Sequence, residues 1–413
     1  MNLFALSFAY IRARELNAAL NVLLLGLGVG TIVVLLLFSR QFEQRLGRDA
    51  QGIDLVVGAK GSPLQLILSS VYHVDIPTGN IPLLEAEKLK ANPLIKSMVP
   101  LALGDSFEGF RIVGTNHDYV TLYEGRPIEG RLWDKPFEAV LGSEVAAHAR
   151  LNIGEKFIGS HGIVEAGEKH EHSPYTVTGV LAPTGSVLDR LVLTSVESVW
   201  EVHGQGPHHD GDEDEDHGKD ANGQPAKDQH LQPQEVTAVL VQYRSPMAAA
   251  ILPRQINSQT ALQAASPAFE SARLLNIVGV GIEAVQAFAL VLILCAGLSV
   301  FIALYNALRE RGYDLAVMRS LGASRMKLLS AVLIEGLLLT AAGVLLGLLL
   351  GHLLAEALGA WLQASQRVRI TGWTFVPGEL VLILLALAVG LLSALFPAVM
   401  AYRTDIARVL AQR

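Results

Sequence analysis

Apolar residues along the chain gather into four runs, near 18–38, 283–304, 328–350 and 380–401. Each holds the roughly 20 residues that a helix rising about 1.5 Å per residue needs to cross a bilayer. Between the first and second runs the pattern changes. Short strand-like stretches at 110–114, 139–142, 175–181, 190–194 and 236–243 alternate with Gly and Pro breaks, and helical patches fall at 84–91 and 143–151. The pattern predicts a membrane protein with four transmembrane α-helices and a large α+β extracytoplasmic domain between the first and second spans. The divisions are an interfacial helix over 1–16, a first span over 17–39, the inserted domain over 40–275 and a C-terminal membrane domain over 276–413. Residues 1–16 are too short to span and fit an amphipathic helix on the inner leaflet, with an extension of the first span as the alternative. The first run is expected to be an uncleaved signal anchor, since its apolar core is long and no small-residue cleavage site follows Ser39 and Arg40. Residues 65–72 fit either a helix near the outer leaflet or domain core, because short apolar runs are ambiguous by period.

Basic residues orient the spans. Arg309, Arg311, Arg319, Arg325 and Lys327 lie between the second and third, and Arg403, Arg408 and Arg413 follow the fourth. The positive-inside bias places both segments in the cytoplasm, with four spans then putting the N-terminus there too. Arg12 and Arg14 agree; Arg367 and Arg369, in the short outer loop, oppose it weakly.

Composition sharpens this reading. The chain has 413 residues, 51% hydrophobic and 17% charged, with a mean hydropathy of +0.38, which excludes whole-chain disorder and argues against a soluble enzyme. Its single cysteine, Cys295, cannot close an intramolecular disulfide, and its place in the second span reads as packing. Of the net charge of −7, six units come from residues 203–230, so the rest is near neutral and carries no nucleic-acid footprint.

That acidic segment interleaves His203, His208, His209, His217 and His230 with acids that include Asp212 and Asp214. Its composition predicts a loop. Imidazoles beside carboxylates suit a borderline metal such as Zn²⁺, Cu²⁺ or Ni²⁺, to which His161, His170 and His172 would add ligands; a solvated acidic loop is the plainer alternative.

Enzyme motifs are missing. Gly58 to Ser62 lacks the Walker glycine frame, His170 to His172 lacks the zinc-protease spacing, and no nucleophile elbow occurs. No cofactor is expected in the chain itself beyond Zn²⁺ at the His/Asp loop. Glu335 stands inside the third run, where an acid is either functional or hydrogen-bonded to a neighbouring span. Gly343, Gly347 and Gly351 repeat every four residues, as do Gly26 and Gly30, giving smooth stripes for close span packing.

The stretch from Arg309 to Arg325, ending Arg319-Ser320-Leu321-Gly322-Ala323-Ser324-Arg325, resembles the cytoplasmic signature of FtsX/MacB-type ABC transporter permeases. The likeness continues through Glu335, the glycine stripe, Phe396-Pro397-Ala398 and Tyr402-Arg403. Upstream, Glu129-Gly130-Arg131, Ala139 to Gly142, Leu151 to Gly154 and Tyr175 to Val180 are similar to the MacB-like periplasmic core domain; residues 203–230 depart from it as an insertion.

The resemblance implies a bacterial inner-membrane permease subunit, multi-pass, working as a homodimer or heterodimer with a separate cytoplasmic ABC ATPase that carries the ATP and Mg²⁺. It implies mechanotransmission, with a lipoprotein, peptide, antibiotic or metal-linked species as cargo and a periplasmic partner or lipoprotein as a further contact. A non-transporting FtsX-like regulator of an envelope enzyme and a metal-handling membrane module are the alternatives. The coupling segment is 309–327, with Arg311, Tyr313, Arg319, Gly322 and Arg325 in the motif. Leu315, Val317, Met318 and Leu321 are its expected apolar anchors, rimmed by arginines.

Overall fold

The computed structural model describes residues 3–161, 173–203, 234–366 and 370–403. The chain divides into two compact units, Met1–Glu43 with Asn276–Arg413, and Gln44–Leu275.

The N-terminal segment is a separate helix, α1 (Leu3–Arg12), divided from α2 (Glu15–Asp49) by a turn at Ala13 and Arg14. It is not an extension of the first span. Ser7, buried on α1, donates its hydroxyl to the Ala331 carbonyl at 3.0 Å.

The unit Gln44–Leu275 is built on short elements. In chain order they are β1 (Leu55–Ala59), α3 (Pro63–Ser70), β2 (Ile81–Pro82), α4 (Leu83–Lys88), β3 (Ile95–Phe107), β4 (Phe110–Thr115), α5 (His117–Leu122), β5 (Pro127–Gly130), β6 (Glu138–Leu141) and α6 (Ser143–Ala149). There follow β7 (Lys156–Phe157), β8 (Ser160–His161), β9 (Tyr175–Leu181), β10 (Leu191–Ser195), α7 (Val196–Val202), β11 (Glu235–Val236), β12 (Ala238–Tyr243), α8 (Met247–Gln259) and β13 (Leu262–Ala265).

Among the described residues, eleven strands form one mixed sheet in the order β13-β1-β12-β3-β4-β10-β6-β9-β5, with β7 on β9 and β8 on β3. The long β3 joins its two halves, pairing β12 through Ile95 to Leu101 and β4 through Ala102 to Phe107. β4 and β10 are parallel neighbours buried along their whole length, as strands covered on both faces must be. In β9, buried and part-buried residues alternate, the period-two signature of one covered face. β3 turns into β4 through Glu108 and Gly109, both left-handed, the conformation of a two-residue hairpin loop.

Two cores result. One gathers Leu55, Val57, Trp200, Val239 and Leu252; the other gathers Phe110, Ile112, Leu141, Phe157, Tyr175 and Val192. The ambiguous stretch at 65–72 is mostly α3, whose Leu66 and Ile67 are buried against this domain, so it belongs to domain core.

The remaining helices are α9 (Pro267–Glu310), α10 (Gly312–Ser320), α11 (Arg325–Gln366) and α12 (Pro377–Tyr402). α2, α9, α11 and α12 are each long and apolar enough to cross a membrane. They outrun the hydropathic stretches seen in sequence because helical hydrogen bonding continues through polar turns.

Small residues set how closely these four helices pack. A methyl group at Gly347 would lie 2.6 Å from Val29 Cβ, and one at Gly351 would lie 2.7 Å from Val33 Cβ. Gly343 meets Leu25 in the same way, while Gly26 meets the Leu346 side chain and Gly30 the α11 backbone at Gly347. The two stripes therefore face each other within one chain, α2 against α11. Gly297 against Val389 joins α9 to α12, and Gly336 against Ala394 joins α11 to α12. Cys295 lies on an exposed helix face, not in the packed interior as its sequence context suggested.

Candidate coupling site

Residues 309–327 form a helix and a turn with a defined chemistry. α10 ends at a left-handed Gly322, whose N–H donates to Arg319 O, while the Ala323 N–H donates to Met318 O. This is a Schellman cap, which favours glycine at the left-handed position. Ser324 then caps α11, its Oγ accepting from the Lys327 N–H at 3.3 Å. The Leu-Gly-Ala-Ser run is thus a helix stop followed directly by a helix start.

The helix period decides which anchors are available. Leu315, 6% exposed, joins a core of Val300, Leu304, Leu328, Val332 and Ala398, with Met318 packed against it. Val317 is only half-buried. Leu315 lies on the face of α10 that meets α9, α11 and α12 rather than on an open surface, and Met318 is half-buried against the same core. Leu321, 83% exposed at the tip of the turn, and Tyr313 remain on the surface. Met326, which the sequence reading passed over, is exposed beside them.

Arg311, one turn before Leu315, lines the same cleft as Leu315 and Met318. Its guanidinium lies 3.9 Å from the centre of the Tyr10 ring, donates to Tyr10 O at 3.2 Å and pairs with Glu335 at 3.7 Å. Arg14 also pairs with Glu310. Glu335, the acid singled out in sequence inside the third apolar run, thus has a cationic partner from the signature itself. Leu6, Leu304, Leu308 and Val332 complete a cleft around this pair. Arg319 Nε and Nη1 are buried without a hydrogen-bond partner among the described residues, and the Arg325 guanidinium lies 5.9 Å from the Tyr402 ring.

A second polar cluster stands at the other end of α11 and was missed in sequence. Glu379, fully buried in the first turn of α12, accepts from the Val376 N–H at 2.9 Å and meets His352 Nε2 at 3.0 Å. His352 Nδ1 donates to Gly372 O, since a carbonyl only accepts. Glu356 accepts from the Gly372 N–H at 2.7 Å and from Thr371 Oγ1 at 3.0 Å, and Gln41 brackets Thr371 through both its side-chain atoms. With the runs placed at 328–350 and 380–401, His352, Glu356 and Glu379 fall just outside them, although α11 continues to Gln366 and α12 begins at Pro377.

Of the metal-ligand candidates, His203 is described, at the C-terminal cap of α7. His208, His209, Asp212, Asp214, His217 and His230 lie outside the described residues, as do His170 and His172. Among the described residues no three His, Cys, Asp or Glu side chains converge as a metal site.

Residues 18–259 match the MacB-like periplasmic core domain, and residues 287–406 match the FtsX-like permease C-terminal family. The chain belongs to the FtsX/MacB-type permeases, which are components of ABC transporters. The periplasmic region of MacB from Actinobacillus actinomycetemcomitans is similar at 14% identity and a TM-score of 0.34, over 55% of this chain and 96% of that one. The extracellular domain of the noncanonic ABC-type transporter YknZ from Gram-positive bacteria is similar at 14% identity and a TM-score of 0.30, over 51% and 98%. No curated protein has a significantly similar sequence.

Proposed function

We propose that the chain is the permease subunit of an ABC transporter in a bacterial inner membrane. In this reading α2, α9, α11 and α12 span the bilayer, both termini and α10 lie in the cytoplasm, and the unit Gln44–Leu275 lies outside. Two copies work with a cytoplasmic ATPase dimer that binds ATP and Mg²⁺, and the chain transmits the movement of that dimer to the outer domain. Export or extraction of a lipoprotein, peptide or metal-linked cargo from the outer side fits a bundle whose interior is closed by small-residue contacts and offers few polar groups to a solute.

The observation that carries the reading is Leu321. A large apolar side chain at a rigid capped turn, with Arg325 and Lys327 nearby and the opposite face of α10 anchored in the bundle, suits insertion into a pocket on a soluble partner. Force on the turn would reach α11 through Leu315 and α1 through Arg311.

The test is co-purification and ATPase stimulation in nanodiscs with the cognate ATPase. Leu321→Asp should abolish both while the chain still inserts and folds. Retention of both would remove Leu321 from the interface and with it this assignment of the coupling site.

A further inference from the structure

Away from the helix bundle, the outer domain brings a carboxylate and an imidazole together without hydrogen-bonding them to each other. Asp105, 3% exposed on β3, lies with Oδ1 3.6 Å from Nε2 of His203, whose side chain is 27% exposed. An ordinary hydrogen bond between these groups would close to about 3.2 Å or less. Two ligands of one tetrahedral ion, each about 2.0–2.2 Å from it, stand roughly 3.3–3.6 Å apart.

The backbone is shaped for this meeting. Pairing of β3 with β4 shifts register between Leu103 and Ser106, so Gly104 and Asp105 occupy a bulge, the device by which a strand re-aims a side chain. A methyl group at Gly104 would lie 2.8 Å from His203 Nε2, so the missing side chain is what admits the imidazole beside the carboxylate. On the other edge of this stretch, β8 places His161 at the register position opposite Asp105. The Tyr175 hydroxyl, which feels the Asp105 charge, is buried and without a hydrogen-bond partner among the described residues. A methyl group at Gly159 would touch both Tyr175 and Asp105.

We propose that Asp105 and His203 are ligands of a divalent-cation site of the zinc class, with the Tyr175 hydroxyl as a hydrogen-bonding neighbour for water on the ion. One carboxylate and one imidazole suit a borderline cation rather than Ca²⁺ or Mg²⁺, which take oxygen ligands. The site is independent of coupling to an ATPase and stands whether or not the permease reading holds. His203 opens the His/Asp-rich stretch 203–230, whose other histidines offer the ion a second set of ligands, and the test has to tell the two apart.

The experiment titrates Zn²⁺ alone into the full-length chain in detergent, in competition with a chromophoric chelator. It compares the wild type, Asp105→Asn, His203→Gln, and a tract variant in which His208, His209, His217 and His230 are all Gln. Removing even an outer partner of a metal ligand weakens binding by about 10–100-fold, so either ligand variant should weaken the tightest equivalent by at least about tenfold. The tract variant should keep that equivalent. His203→Gln, at a part-exposed position, carries the test if Asp105→Asn unfolds by circular dichroism. Unchanged binding in a folded His203→Gln chain, loss confined to the tract variant, or no binding by the wild type would each overturn the proposal.

Discussion

Arg311 and Glu335 are held 3.7 Å apart, and the same guanidinium covers the Tyr10 ring, so one side chain ties together α1, the start of α10 and α11. Both members of the pair are largely buried. Breaking a buried pair leaves an uncompensated charge, at a cost of about 3–5 kcal/mol.

Arg311→Ala is therefore expected to lower the stability of the chain in detergent by about 3 kcal/mol. Arg311→Lys should recover part of the ion pair but little of the ring contact and the bond to Tyr10 O, because an ammonium lacks the planar fork. Thermal unfolding followed by tryptophan fluorescence measures both. Equal stability of Arg311→Ala and wild type would mean that the pair is solvated and holds nothing.

Leu315 and Leu321 separate packing from docking. Leu315→Ala opens a cavity in the bundle core and should cost about 2–5 kcal/mol. Leu321→Ala, at an exposed site, should stay within about 0.5 kcal/mol of wild type while reducing co-purification with the ATPase. A destabilised Leu321→Ala would place that side chain in the fold and not at a partner surface.

Gly347→Leu forces a branched side chain against Val29 and the Gly26 carbonyl. Overpacking of this kind costs about 1–3 kcal/mol, and the detergent melting temperature should fall accordingly. Leu345→Ala, two residues away and exposed, should melt like wild type. Similar melting of Gly347→Leu and wild type would argue against close contact of α2 and α11.

His73 gives the unit Gln44–Leu275 an acid sensitivity. The residue is buried, and burial first, then the Arg111 and Arg190 charges, holds its imidazole well below the usual range. Folded His73 therefore stays neutral, whereas in the unfolded chain it takes up a proton below about pH 6.5. The unfolded state binds more protons in the window between the two values, so stability falls as pH is lowered below about 6.5 and is unaffected above it. His73→Asn keeps a residue that tolerates the left-handed backbone found there and removes the titration. Melting at pH 7.5, 6.5 and 5.5 should show a larger acid drop for wild type than for His73→Asn, and equal drops would exclude His73 as the source.

Much of this was legible in the sequence, for identifiable reasons. The long apolar runs announced four helices, whereas Arg319 to Ser324 was met only as a family signature, and its role as a helix stop and start came from the backbone. The glycine stripes of Gly26 and Gly347 gave close packing but not their partners, since a smooth face does not say which helix it meets. The face that Leu315 takes was not legible, because an apolar residue in a short amphipathic segment has the same pattern whether it faces a partner or its own bundle. His352 and Glu379 were passed over because hydropathy ends a span at the first polar turn although the helix continues. Asp105 had no signal at all, for its meeting with His203 depends on a bulge that only the sheet register reveals.

The glycine stripe of α11 also bears on how this helix tolerates change. Leu345 and Leu349 face outward, whereas Gly343, Gly347 and Gly351 carry their contribution in the atoms they lack. A scale of apolarity scores every position in this stretch as interchangeable, yet a saturation scan should show permissive leucines interrupted every fourth residue by sites that accept almost nothing. Drift along the helix would then be fast on one side and nearly frozen on the other, with no charged or catalytic group to account for the difference.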